Sequence, residues 1–185
     1  SVESSDQTAQ NDLPILEPGK PISRELSGGE VHSYQVVLTA RQFLYVAVEQ
    51  RGINLIVTLF DPNGKRIAER DSWAGLYGTE NASLVSETAG NHRLEIRSKQ
   101  KAAPTGQYEV RIVERRTSVP EDASQIAAER RFAEARLIAD QETGESRLKA
   151  IDKYKEALAL LQSNKGTGVE SQLGLTLNAI GENYR

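Results

Sequence analysis

YEVRIVERRTSVPEDASQIAAERRFAEARLIA, residues 108–139, changes its hydrophobic period midway, and that change decides the fold. Before the break Tyr108, Val110 and Ile112 alternate with Glu109 and Arg111, the period of two that gives a strand one apolar and one charged face. After Val119 and Pro120 the apolar positions Ala128, Phe132, Ala135 and Ala139 recur at i, i+4, i+7 and i+11, the spacing of one helix face. Their small size predicts close approach of a neighbouring helix.

Working back from the break, the period of two persists. Tyr34, Val36 and Leu38, then Leu44, Val46 and Val48, then His92, Leu94 and Ile96 each predict a strand with one buried face. Ile53, Leu55, Val57 and Leu59 share that pattern, while Ile56 and Phe60 add apolar surface to the second face, so this strand is expected to lie centrally. Weaker strands are expected near residues 22–26, 65–69 and 83–87. Turn text separates the runs: PG at 18–19, GG at 28–29, read as a hairpin turn, and DPNG at 61–64. The count of about eight strands predicts two packed antiparallel sheets, a jelly-roll-like sandwich over residues 13–117. Residues 1–12 are polar and aperiodic, and a disordered tail is expected there.

Working forward, residues 121–185 predict helices. Ile151, Tyr154, Leu158 and Leu161 share one helix face with Ala150 and Ala157 beside them, and Leu173, Leu177, Ile180 and Tyr184 form the stripe of a third helix. That last pattern is still running at Arg185, so the array is expected to be truncated. The fold class is therefore α+β in two segregated parts, sandwich first and helical hairpins second.

Composition narrows the function. The 185 residues carry 23 Lys and Arg against 26 Asp and Glu, a formal charge of −3 that offers no broad basic field to nucleic acid. No apolar run approaches the length of a membrane-spanning helix. Cysteine and methionine are both absent, which removes thiolate nucleophiles and cysteine-ligated zinc. The polar stretch from Ser1 reads as the flank of a removed signal peptide, so an extracytoplasmic location is expected.

Two family resemblances rest on quoted residues. LEPGKPISRELSGGEVHSYQVVL, GINLIVTLFDPNGKRIAERDS, GNHRLEIRS and GQYEVRI together resemble the bacterial pre-peptidase C-terminal domain, a β-sandwich appended to secreted hydrolases, over residues 13–116. His92 stands where that family has a tyrosine. Downstream, Ala150, Tyr154 and Ala157 resemble the second-helix signature of a tetratricopeptide repeat, and Leu177, Ile180, Gly181 and Tyr184 the first-helix signature of the next. The spacing runs slightly longer than the usual unit, and the loop SNKGTG at 163–168 absorbs the excess. The order of parts resembles the N-terminal region of exported bacterial proteins that continue into a caspase-like CHAT peptidase domain, whose cysteine nucleophile this chain does not contain.

The chemistry-bearing residues are few. His32 and Ser33 are adjacent in strand text and point to opposite faces, so they do not make a nucleophile and base pair, and no G-x-S-x-G elbow is present. Asp61, Asn63, Asp71 and Glu80 offer oxygen ligands of the kind calcium takes, but their spacing matches no EF-hand loop and turn chemistry explains them as well. No cofactor is expected. Trp73 lies in SWAGLYG with Leu76 and Tyr77, glycine-flanked loop text where an aromatic either folds onto the end of the sandwich or contacts a sugar or a protein. The charge clusters around 114–116, 129–131 and 153–156 are mixed in sign and read as solvated faces, and the Asn81 sequon has meaning only in a eukaryotic secretory route.

The expected function is a non-catalytic binding and scaffold module, taking protein or peptide through the helical repeats and dimerising through Leu173, Leu177, Ile180 or Tyr184. The alternative is a carbohydrate or cell-wall-binding module using the loop around Trp73 and Tyr77.

Overall fold

The computed structural model describes residues 13–71 and 75–184, which leaves the tail expected at residues 1–12 outside them. The chain divides into two compact units, residues 1–117 and 118–185.

The first unit holds eight strands: β1 (Ile22–Leu26), β2 (Val31–Leu38), β3 (Gln42–Arg51), β4 (Leu55–Phe60), β5 (Arg66–Arg70), β6 (Tyr77–Val85), β7 (Gly90–Ser98) and β8 (Gly106–Thr117). They form two four-stranded sheets in the orders β1-β8-β3-β6 and β2-β7-β4-β5, every neighbour antiparallel. That order is the doubled Greek key of a jelly roll. The inward sets read from alternation meet between the sheets: Tyr34, Val36 and Leu38 of β2, Leu44, Val46 and Val48 of β3, Leu55, Val57 and Leu59 of β4, and Val110 and Ile112 of β8 belong to one buried cluster.

Three strand expectations need correction. Gly28 and Gly29 do not close a hairpin, because β1 pairs with β8 in one sheet and β2 with β7 in the other. The turn instead tucks under the 101–103 loop: the Gly28 N–H donates to the Ala103 carbonyl at 3.0 Å, and a Cβ on Gly28 would stand 2.6 Å from the Lys101 carbonyl oxygen. Close backbone approach is the reason for glycine here. Second, the first half of β3 is buried on both faces, since Phe43, Tyr45 and Ala47 on its other side are also covered, with the Arg116 guanidinium 4.5 Å over the Phe43 ring. Third, β6 begins at Tyr77, six residues before the expected start, so Tyr77 is a strand residue. The DPNG turn joins β4 to β5 as its composition implies: Asp61 Oδ1 accepts from the N–H groups of Asn63 and Lys65 at 2.9 and 2.8 Å, and Gly64 takes φ of 81°.

The second unit contains α1 (Pro120–Ala139), α2 (Gly144–Leu161) and α3 (Val169–Asn183). Pro120 occupies the first turn of α1, where no amide proton is required, and the Asp122 carboxylate accepts from the Val119 N–H at 2.7 Å. Thr143 and Ser146 cap α2 reciprocally at 3.0 Å. Ala135 and Ala139 of α1 meet Ala150 and Tyr154 of α2 and Ala179 of α3, and Ala128 meets Ala157, Leu161 and Val169. Small residues at these positions let the helices approach closely.

Candidate functional site

Both histidines are engaged in the sandwich. His32 Nδ1 lies 2.7 Å from the Tyr108 hydroxyl, which is hydrogen-bonded in turn to the Tyr34 hydroxyl, so a polar chain crosses from β2 to β8 between the sheets. Burial pushes the Tyr108 phenol well above its ordinary range, reinforced by Tyr34, and burial together with Arg24 holds His32 below the ordinary imidazole value. His92, almost fully buried on β7, has Nδ1 3.3 Å from the Gly90 carbonyl, and burial lowers its pKa too. Neither imidazole has a serine or threonine hydroxyl as its hydrogen-bond partner among the described residues.

The four oxygen-bearing residues considered for calcium have separate duties. Asp61 is occupied by its own turn, Asp71 pairs with Lys99 at 2.7 Å, and Glu80 is fully buried on the inner side of β6. Asn63 gives its backbone N–H to Asp61. Among the described residues no three histidine or acidic side chains come together as a metal would require, and no helix is long and apolar enough to cross a membrane.

Two of the surfaces expected from the sequence carry exposed apolar side chains among the described residues. At one end of the sandwich Leu76 is 54% and Tyr77 70% exposed, while Trp73 lies outside the described residues. On the helical unit the stripe read from the sequence is split: Leu173 and Ile180 pack half-buried against the core, whereas Leu177 is 55% and Tyr184 63% exposed. α3 seats Val169, Thr176, Ala179 and Asn183 inward instead. Its two polar members satisfy themselves, Thr176 Oγ1 donating to the Gln172 carbonyl at 2.7 Å and Asn183 Nδ2 to the Ala179 carbonyl at 2.8 Å. Gly181 of the repeat-like signature faces open space. Tyr184 instead leans on α2, with Lys155 Nζ donating to its hydroxyl at 3.2 Å.

Sequence reasoning passed over a third surface, a groove of about 330 Å³ whose lining includes Ser23, Glu25, Arg51, Gln107 and Glu109 on β1, β3 and β8. Each of these is simply a polar outward position of its own strand. Only the pairing of strands far apart in sequence collects them.

No protein-family model matches the sequence, and no curated protein matches it. Among solved structures, the chain is similar over 55% of its length to the pre-peptidase C-terminal domain of collagenase from Bacillus anthracis, covering 94% of that chain at 16% identity and a TM-score of 0.45. It is similar over 54% of its length to PliG of Aeromonas hydrophila, a periplasmic inhibitor of g-type lysozyme, covering 94% of that chain at 16% identity and a TM-score of 0.41. Similarity to the CspB protease of Clostridium perfringens spans 55% of this chain and 29% of that one, at 9% identity and a TM-score of 0.37.

Proposed function

We propose that the chain is a non-catalytic binding and scaffold module of an exported bacterial protein, with the sandwich as a positioning unit and the helical unit as the protein-interaction surface. The observation that carries this reading is the outer side of α3 and its C-terminal cap, where Leu177 and Tyr184 are more than half exposed and Gly181 between them faces open space. Residues at i, i+4 and i+7 share a helix face, and an apolar line with a small residue in its middle accepts another helix closely. The tetratricopeptide-like signature of residues 150–184 supports the same use, and the resemblance of residues 13–116 to a domain appended to secreted hydrolases supports a place outside the cytoplasm. The engaged state of His32 and His92 supports a role without chemistry.

Self-association tests it most directly. Sedimentation equilibrium is expected to show a concentration-dependent dimer for the chain and a monomer for the double variant Leu177→Ser, Tyr184→Ser at unchanged helicity. A monomer in both would remove α3 as an association face.

A second reading, a carbohydrate-binding module, is favoured by the exposed aromatic Tyr77 at the end of the sandwich. A flat ring presented to water on a strand suits stacking against a sugar.

A further inference from the structure

The outer face of the β1-β8-β3-β6 sheet carries one row drawn from all four strands. The register pairs Tyr77 of β6 with Arg51 of β3, Arg51 with Gln107 of β8, and Gln107 with Glu25 of β1, and all four residues are exposed. The next row on that face is Thr79, Glu49, Glu109 and Ser23. Side chains bridge the strands: Gln107 Nε2 approaches Glu25 Oε1 at 3.5 Å, and Ser23 Oγ approaches Glu109 Oε2 at 3.4 Å. The groove described above lies over the β1, β8 and β3 part of these rows, with Tyr77 beside it rather than in its lining.

Both arginines of this face are already answered by carboxylates, and Glu25 adds a further exposed negative charge. Arg51 pairs with Glu49 at 2.8 Å and Arg111 with Glu109 at 3.3 Å, so the arginines present no net positive field to phosphates. A protein partner is matched poorly too, because the centre of a protein interface wants apolar anchors in a dry pocket and the row holds one aromatic and no aliphatic side chain. What the face does offer is a planar guanidinium, a carboxamide and a carboxylate, donors and acceptors together, with a phenol ring at one end. The matching ligand is uncharged, rich in hydroxyls and apolar on its ring faces.

We propose that this row binds a neutral linear oligosaccharide laid across the strands, Tyr77 stacking on one sugar ring while Arg51, Gln107 and Glu25 hydrogen-bond the hydroxyls of the rings that follow. Adjacent strands stand about 4.8 Å apart, so the row runs roughly 14 Å from Tyr77 to Glu25, long enough for several sugar units. The inference rests on the carbohydrate reading of the sandwich and assigns its site; it is independent of association through α3.

The test is an amide NMR titration of the whole chain with two uncharged probes in turn, the β-1,4-linked hexasaccharides of glucose and of N-acetylglucosamine. Saturable shifts are expected for at least one, centred on the strand ends that carry Tyr77, Arg51, Gln107 and Glu25. Tyr77→Ala and Gln107→Ala are each expected to weaken binding about tenfold at unchanged circular dichroism, with Tyr77→Phe keeping it, since the ring and not its hydroxyl carries the stacking. Saturable binding that maps elsewhere and survives Tyr77→Ala overturns the row and leaves the carbohydrate reading standing. No saturable shift with either sugar at millimolar concentration overturns both.

Discussion

Tyr154 carries its hydroxyl into the helical core without a hydrogen-bond partner. Its ring is fully buried and packs 5.1 Å from the Phe132 ring at a tilt of 59°, so the aromatic body stabilises the unit while the oxygen does not. Burial pushes its phenol up to about 12, with the Arg136 charge opposing that shift. Tyr154→Phe keeps the ring contacts and removes a buried polar atom that nothing satisfies. Urea unfolding is expected to show the variant equal to the parent or more stable by up to about 1 kcal/mol. A loss of similar size would mean that the hydroxyl has a partner in solution. The contrast is Tyr108, whose hydroxyl links His32 to Tyr34 across the sandwich. Nothing in the local sequence separates these two tyrosines: both sit on an apolar face, and their fates differ because of what the fold brings opposite them.

At the scale of elements, the loop between α2 and α3 ties the helical unit together. Asn164 Nδ2 donates to the Glu121 carbonyl at 2.9 Å while its Oδ1 accepts from the Gly166 N–H at 2.8 Å, and Gln125 Nε2 donates to the Thr167 carbonyl at 3.0 Å. The loop is thereby fastened to the start of α1, some forty residues earlier in the chain. Asn164 is buried, so Asn164→Ala strips partners from two backbone groups and is expected to cost about 1–3 kcal/mol of stability. Chemical denaturation of the variant measures this, and a change near zero would mean that the loop is not held in solution. As a sequence, SNKGTG reads only as polar turn text with room to spare. The clamp is invisible there because its partners are backbone carbonyls, which every residue has.

Across the whole sandwich, the two depressed histidines set a pH dependence with a definite sign. His32 is held down by burial first and then by Arg24, with Glu30 opposing; His92 is held down by burial, with the Gly90 carbonyl and Asp61 opposing. Below the ordinary imidazole value of about 6.5 the unfolded chain takes up protons that the folded chain resists, so stability is full above that pH and falls as the pH drops through the folded values. The melting temperature is expected to decline between about pH 6.5 and 5, before the carboxylate pairs of Glu17, Glu49, Glu145 and Glu156 begin to protonate near their ordinary value of about 4.3. The variant His32→Gln, His92→Gln is expected to flatten that window. An unchanged slope would move the acid sensitivity to other groups.

By itself the sequence determined the local periods: two up to Thr117, 3.6 from Pro120, with turn residues between them. Those periods follow from backbone geometry and the burial of one face, so about eight strands, three helices and the inward sets of β2, β4, β7 and β8 could be read, with the start of β6 six residues out. Only the tertiary structure decided which strand joins which sheet. β1 and β2 part company at Gly28 because their partners, β8 and β7, lie more than fifty residues away, and no local pattern encodes a pairing over that distance. The same pairing brought Tyr77, Arg51, Gln107 and Glu25 into one row. It was also packing that turned Leu177 outward on α3, because Thr176 and Asn183 can be buried at little cost once their own backbone satisfies them.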